Sequence, residues 1–416
     1  MSTVWKGRTV HGMTENLTIG ERVAWYRRRR GMSQEVLAGL VGRTADWLQR
    51  AENNRIQLDR LSVIRSLAQV LDVSLGDLIG EPTLLDWTAD SGTQTVPALR
   101  AVLMDYSQLS PLLTSNSWQE LVPLDQLGRR VADIFSAYQN SRFDYVTAQA
   151  PRLLHETMTA ARAADGDALK RASELMALSY QVAAAVLTKL GEADLAWIAS
   201  ERGLSAAQQS DNRLVLGSLF RSVAHTLVAT GRFQPAMQLV DRAAGLLGSE
   251  LATADGAMLS IYGSLFLTGA MAASRAEDRS TTYAFLSEAQ VAAGRLGADA
   301  NHMWTAFGPT NVAIHRVNTA MELGDVQIAL DIGPQLDTAG LPVERQVRHA
   351  LEIARAYSAR NRQDEGLARL LAAEQLAPVQ VRHHYISRQL VLTWIRQQRG
   401  RPRPELAALA TRLRLT

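Results

Sequence analysis

The 416-residue sequence contains no cysteine. That excludes disulfides, thiol nucleophiles, iron–sulfur clusters and every cysteine-based zinc site at once, and it fits a reducing, intracellular compartment. Lysine is almost missing too. Of 44 basic residues, only Lys6, Lys170 and Lys189 are lysines. The others are arginines, which stay charged at ordinary pH and favour planar, bidentate partners such as phosphate or guanine. No apolar run approaches the ~18–20 residues that a bilayer span needs. Met1–Asn16 lacks the apolar core of a signal peptide, so a cytoplasmic protein without membrane contact is expected. Runs of alternating β-branched residues are absent, glycine and proline are sparse, and the 12 prolines cluster at predicted element boundaries. The net charge of +3 excludes a uniformly basic coat but leaves room for a local patch.

Enzyme signatures are missing as well. There is no Gly-Lys pair and hence no P-loop, and neither GxGxxG nor GxSxG occurs. His155-Glu156 has no second histidine at zincin spacing, and the scattered histidines form no ligand cluster. The chain is therefore expected to be no enzyme, with no cofactor and no metal.

What remains is a helical composition rich in Ala, Leu, Arg and Glu. Four regions separate. Residues 1–18 read as a polar, mobile arm, and residues 19–80 as five short helices joined by single turns. Residues 81–96, rich in Thr, Asp, Gly and Pro, read as a linker. Residues 97–416 read as helices of about 15–20 residues joined by short turns. Charge follows this division. Residues 1–80 hold 12 basic and eight acidic side chains, while the remainder is nearly neutral.

In the first helix Ile19, Val23 and Tyr26 form one apolar stripe, closed by Gly31. Ser33 caps a second helix over Gln34–Val41, which Gly42 ends. Thr44 caps a third that runs to Asn53-Asn54. Asp59 precedes a fourth, with Leu61, Ile64, Leu67, Ala68 and Leu71 inward, and Ser74 caps the last. A second and third helix joined only by Gly42-Arg43-Thr44 is helix-turn-helix geometry. The runs Met32-Ser33-Gln34-Glu35-Val36-Leu37-Ala38 and Trp47-Leu48-Gln49-Arg50-Ala51-Glu52, with Gly42 between them, resemble the Cro/CI (xenobiotic-response-element) type of helix-turn-helix.

That resemblance implies a head that binds double-stranded DNA, with the third helix in the major groove. It places Ala45, Asp46 and Arg50 at the bases, with Thr44, Trp47 and Gln49 beside them. Gln34, Arg43 and Arg55 would stand at phosphates. Arg50 suits guanine in a bidentate grip, and Asp46 suits the cytosine amino group. Ala45 and Asp46 depart from the polar, uncharged residues common at these sites. Arg27–Arg30 reads either as cations complementing a helix end or as phosphate contacts. Trp47 either touches DNA or packs at a seam, and Glu52 reads as the structural partner of an arginine.

Beyond the head, hairpin turns are expected near Ser141-Arg142, Gly191, Gly231-Arg232, Glu277-Asp278, Gly324-Asp325 and Asn361-Arg362. Their spacing scatters too widely for a strict 34-residue repeat. Ala224–Ala236, Ala320–Leu330 and Ala354–Gly366 nonetheless resemble tetratricopeptide hairpins. Residues 301–380 resemble the divergent sensor regions of actinobacterial-type regulators with the same head. The fold class expected is all-α: a five-helix head followed by a tetratricopeptide-like α-solenoid.

Three polar stripes stand out from the usual Arg, Glu and Gln surfaces. Asn311, His315, Asn318 and Glu322 follow helical spacing; so do Ser218, Ser222 and His225, and Ser260, Ser264 and Thr268 with Tyr262 nearby. Trp304 would line the rim. These stripes read either as a groove that hydrogen-bonds a ligand or as interhelical contacts. The expectation is a regulator whose solenoid senses a small molecule or peptide and mediates homodimerisation. Two alternatives stay open: a protein-interaction scaffold, and a constitutive regulator whose ligand-free solenoid serves only to dimerise. The peptide ligand of the Gram-positive quorum-sensing regulators with this plan is fold-level analogy.

Overall fold

The computed structural model describes residues 16–79, 95–105, 121–248, 251–398 and 400–415. Nearly all of the mobile arm and of the linker expected from sequence lies outside these residues. Among the described residues the chain is all-α, and an isolated bridge between Ala300 and Phe307 is the only extended pairing.

Five short helices come first: α1 (Ile19–Arg29), α2 (Gln34–Leu40), α3 (Ala45–Glu52), α4 (Leu61–Leu71) and α5 (Leu75–Ile79). Ten follow: α6 (Thr95–Leu103), α7 (Leu124–Gln139), α8 (Phe143–Ala163), α9 (Gly166–Lys189), α10 (Ala193–Gln209), α11 (Arg213–Ala229), α12 (Phe233–Gly248), α13 (Gly256–Arg275), α14 (Arg279–Leu296) and α15 (Pro309–Leu323). The last six are α16 (Val326–Ile332), α17 (Val343–Ala359), α18 (Gln363–Leu376), α19 (Pro378–His383), α20 (Tyr385–Gln397) and α21 (Pro404–Arg412).

The helices form two compact units that are not contiguous in sequence. One takes in residues up to 82 together with 324–330 and 347–416; the other takes in 83–323 and 331–346. In the first unit, Ile19, Val23, Leu37, Leu48, Ile64, Leu67, Leu71 and Leu78 close the core of the head. Thr18 and Glu21 cap α1 reciprocally, and Ser33 and Thr44 cap α2 and α3. Asp59 does not cap α4: Arg60 holds the N-cap position and makes no side-chain cap. The C-terminal helices pack on this head. Gln389 Oε1 accepts from the Ile19 amide at 2.9 Å, Arg396 Nε meets Glu21 Oε1 at 3.0 Å, and Gln397 Nε2 donates to the Asn54 carbonyl at 2.9 Å. Arg355, 2 % exposed, reaches Asp59 at 3.4 Å and Glu352 at 3.0 Å.

In the second unit consecutive helices pair around two apolar clusters, one from Val96 to Leu219 and one from Val223 to Val312. Each of the six turns expected from sequence contains a residue in the left-handed region: Ser141, Gly191, Gly231, Glu277, Gly324 and Asn361. Asp211 does the same between α10 and α11, at a turn that was not among the six expected. Close approach fixes one glycine. A Cβ at Gly263 would sit 1.9 Å from the Phe307 ring, so only hydrogen lets α13 accept that aromatic.

Two expectations need correction. Pro151 lies inside α8, not at a boundary, and it leaves the Thr147 carbonyl without the usual amide donor. Gly256–Arg275 is long and apolar enough to cross a membrane by length and composition, and it is mostly buried here. Interspersed Ser, Gly and Thr hide this from a search for unbroken apolar runs.

Candidate functional site

Helix α3 begins on its cap, where Thr44 Oγ1 accepts from the Trp47 amide at 3.2 Å. Leu48, Ala51 and Glu52 are buried, which fixes the opposite face outward. Asp46, Gln49 and Arg50 are exposed, while Ala45 and Trp47 are half-buried. Trp47 packs against the core of the head and carries the Arg43 guanidinium 5.6 Å from its ring centroid. Asp46 and Arg50 approach to 3.9 Å across one turn, with side chains 74 % and 52 % exposed. Such an open pair exchanges readily for other partners. Arg43 and Arg55 are exposed on either side of the helix.

Beneath that surface lies a closed polar knot. Arg27 Nε and Nη2 donate to the two Glu52 carboxylate oxygens at 2.6 and 2.8 Å, and Nη1 donates to the Met32 carbonyl at 2.8 Å. The Gln34 amide adds a bond to Glu52 at 2.7 Å. The bond to Glu52 holds Arg27 protonated beyond its ordinary range. Glu52 is thus the arginine partner that the sequence implied. Arg27 drops out of the four-arginine run as neither a solvated cation nor a phosphate contact. Gln34, half-buried, is engaged by the same carboxylate. Arg29 lies over the Trp25 ring, and Arg30 pairs with Asp72 at 2.6 Å.

Residues 18–79 match a family model described as a helix-turn-helix domain. They form a helix-turn-helix DNA-binding domain. No curated protein matches the chain.

The polar stripes of the second unit fall into two groups. Ser218 is fully buried and exchanges hydrogen bonds with Gln181 at 2.7 and 3.0 Å. Ser264 is buried and donates to the Ile261 carbonyl. Ser222 is buried as well, and its carbonyl accepts from Thr226 Oγ1 at 3.2 Å. Tyr262 meets Phe266 edge to face, and Trp304 stacks on Phe135 at 4.2 Å. The second group is less satisfied. Asn311 and Asn318 are 1 % and 5 % exposed, and the Oδ1 of each has no hydrogen-bond partner. Between them His315, also buried, holds the Asn311 carbonyl through Nδ1 at 2.9 Å.

His225 joins this second group. Its Nε2 lies 3.1 Å from Thr268 Oγ1 and 3.4 Å from Arg221 Nη1. The residue is exposed, with the Arg221 and Thr268 side chains beside the ring. Desolvation, then the positive charges of Arg221 and Arg345, then His315 and Arg275, hold it well below the ordinary histidine range. Burial and the neighbouring Arg345 bring Arg221 down to about 10, while Tyr138 opposes them. The sequence reading found His225, His315 and the asparagines but missed the three arginines. Arg221 stands one helical turn before His225, and that spacing was the one local signal available.

Proposed function

We propose that the chain is a transcription regulator of the Cro/CI type. Its head binds a specific operator as a homodimer, and its helical-repeat region, tetratricopeptide-like in plan, senses a small molecule or peptide. One observation carries the reading: a capped α3 turns Asp46, Gln49 and Arg50 outward while Leu48, Ala51 and Glu52 anchor its other face. A helix about 10–12 Å across fits the major groove. Arg43 and Arg55 flank it at phosphate reach. The homodimer follows from economy, since one short helix reads too few base pairs for specificity. A cytoplasmic location and the absence of catalysis belong to the same reading.

Ligand sensing draws on the orphaned Asn311 and Asn318 oxygens and on His225, which stands 3.1 Å from Thr268 and 3.4 Å from Arg221. A ligand alters DNA affinity only by favouring one conformation over another. The test is operator selection from a random-sequence library, followed by binding measured with increasing salt. A selected sequence with affinity falling steeply between low and physiological salt is the expected result. Equal binding to all sequences, or a flat salt profile, overturns the reading.

A further inference from the structure

We infer that the second unit holds a compact polyanion, a phosphate or a cluster of carboxylates carried on a small molecule, gripped by Arg221, Arg275 and Arg345. This rests on the sensing function proposed above and names its ligand chemistry. The Nε of each of these arginines is buried and has no hydrogen-bond acceptor. Among the described residues none of the three forms an ion pair. Glu344, the carboxylate next in sequence to Arg345, is taken by Lys189.

All three positive charges act on the His225 imidazole, from α11, from the last turn of α13 and from segment 331–346. Three half-buried guanidinium groups that act on one imidazole, each with a desolvated Nε and no ion pair among the described residues, are costly to maintain in a folded chain. An anion removes that cost. Guanidinium forks match phosphate and carboxylate oxygens in a bidentate manner. The neutral His225 leaves room for a proton or a donor hydrogen. Nearby on α15, the Asn311 and Asn318 oxygens lack donors, so the remainder of the ligand should carry hydroxyl or amide hydrogens.

Calorimetry on the full chain tests the site with inorganic phosphate, pyrophosphate and tricarballylate at constant ionic strength. The expected result is saturable binding of at least one probe, at one per chain. Preference for pyrophosphate identifies a phosphorylated ligand, and preference for tricarballylate a polycarboxylic one. Arg221→Gln and Arg345→Gln should each weaken binding by about tenfold or more, the loss of one charge-assisted contact. The exposed control Arg242→Gln should leave it unchanged. Without anion, Arg221→Gln should melt at or above the wild-type temperature, because it deletes a half-buried charge that has no carboxylate partner; a purely structural arginine would lower it.

Absence of saturable binding by all three probes overturns the proposal. So does equal weakening in Arg242→Gln, which would mark general ionic screening. Operator affinity is read separately. Anion binding without any change in DNA affinity overturns the sensing function and leaves the site. A neutral molecule carried through purification, seen by native mass spectrometry, together with no anion binding, keeps the sensing function and removes the site.

Discussion

An arginine buried in the head and three half-buried arginines in the second unit are treated in opposite ways. In the head, Arg27 gives three bonds, two to Glu52 and one to the Met32 carbonyl, and Gln34 completes the carboxylate. In the second unit, Arg221, Arg275 and Arg345 present desolvated Nε groups to nothing. A satisfied buried charge orients its neighbours; here it anchors α3 from below, so that Arg50 can face outward. An unsatisfied one is held in place by the surrounding packing and waits for a counter-charge. Deletion should therefore have opposite signs at the two places.

The largest effect is expected at the knot. Arg27→Met leaves Glu52 buried without its cation and should destabilise the head by about 3–5 kcal/mol, read as a lower urea midpoint. Arg27→Met with Glu52→Leu should recover a large part of that loss, because neither charge is then left alone. If Arg27→Met costs no more than Arg221→Gln, the two arginine classes are not distinct.

Next come the outward cations of the head. Arg50→Ala should weaken operator binding by about 1–3 kcal/mol and relax one base position in a selection experiment. Arg43→Ala and Arg55→Ala should instead weaken binding to all sequences alike and reduce the salt slope by about one. If Arg50→Ala behaved like Arg43→Ala, α3 would not be the reading helix. Thr44→Ala should cost about 1 kcal/mol of stability through the lost cap, with base preference unchanged.

The contrast also marks what a sequence can disclose. The five head helices and the six left-handed turns were legible because caps, glycine and local apolar spacing act within a few residues. Contacts between Gln389 and Ile19 were not legible, since 370 residues separate them. Nor was the arginine cluster. Arginine is this chain's ordinary surface cation; only the one-turn spacing from His225 marks Arg221, and nothing local marks Arg345. Helical spacing of polar residues revealed a stripe but not what it faces: Ser218 turns to Gln181, whereas Asn318 Oδ1 turns to no partner. Only packing separates those two cases.

The smallest expected effect is a pH dependence. His225 sits well below its ordinary range, through desolvation first and then Arg221, Arg345, His315 and Arg275, with Thr268 as its nearest neutral partner. The folded chain therefore takes up this proton less readily than the unfolded chain does. Its contribution to stability is complete above the unfolded value near 6.5. As pH falls below that value, protonation of the unfolded chain draws stability away, until the folded value is passed. His225→Gln removes this linkage. The variant should lose less melting temperature between pH 7.5 and 5.5 than the wild type does, in chloride buffer free of multivalent anions. Adding a saturating polyanion should reverse part of the wild-type loss, because an anion beside the imidazole favours its protonated form. Parallel melting curves for the two proteins across that range would show that His225 does not lie in a cationic enclosure, and the contrast between the two units would then rest on the orphaned guanidinium nitrogens alone.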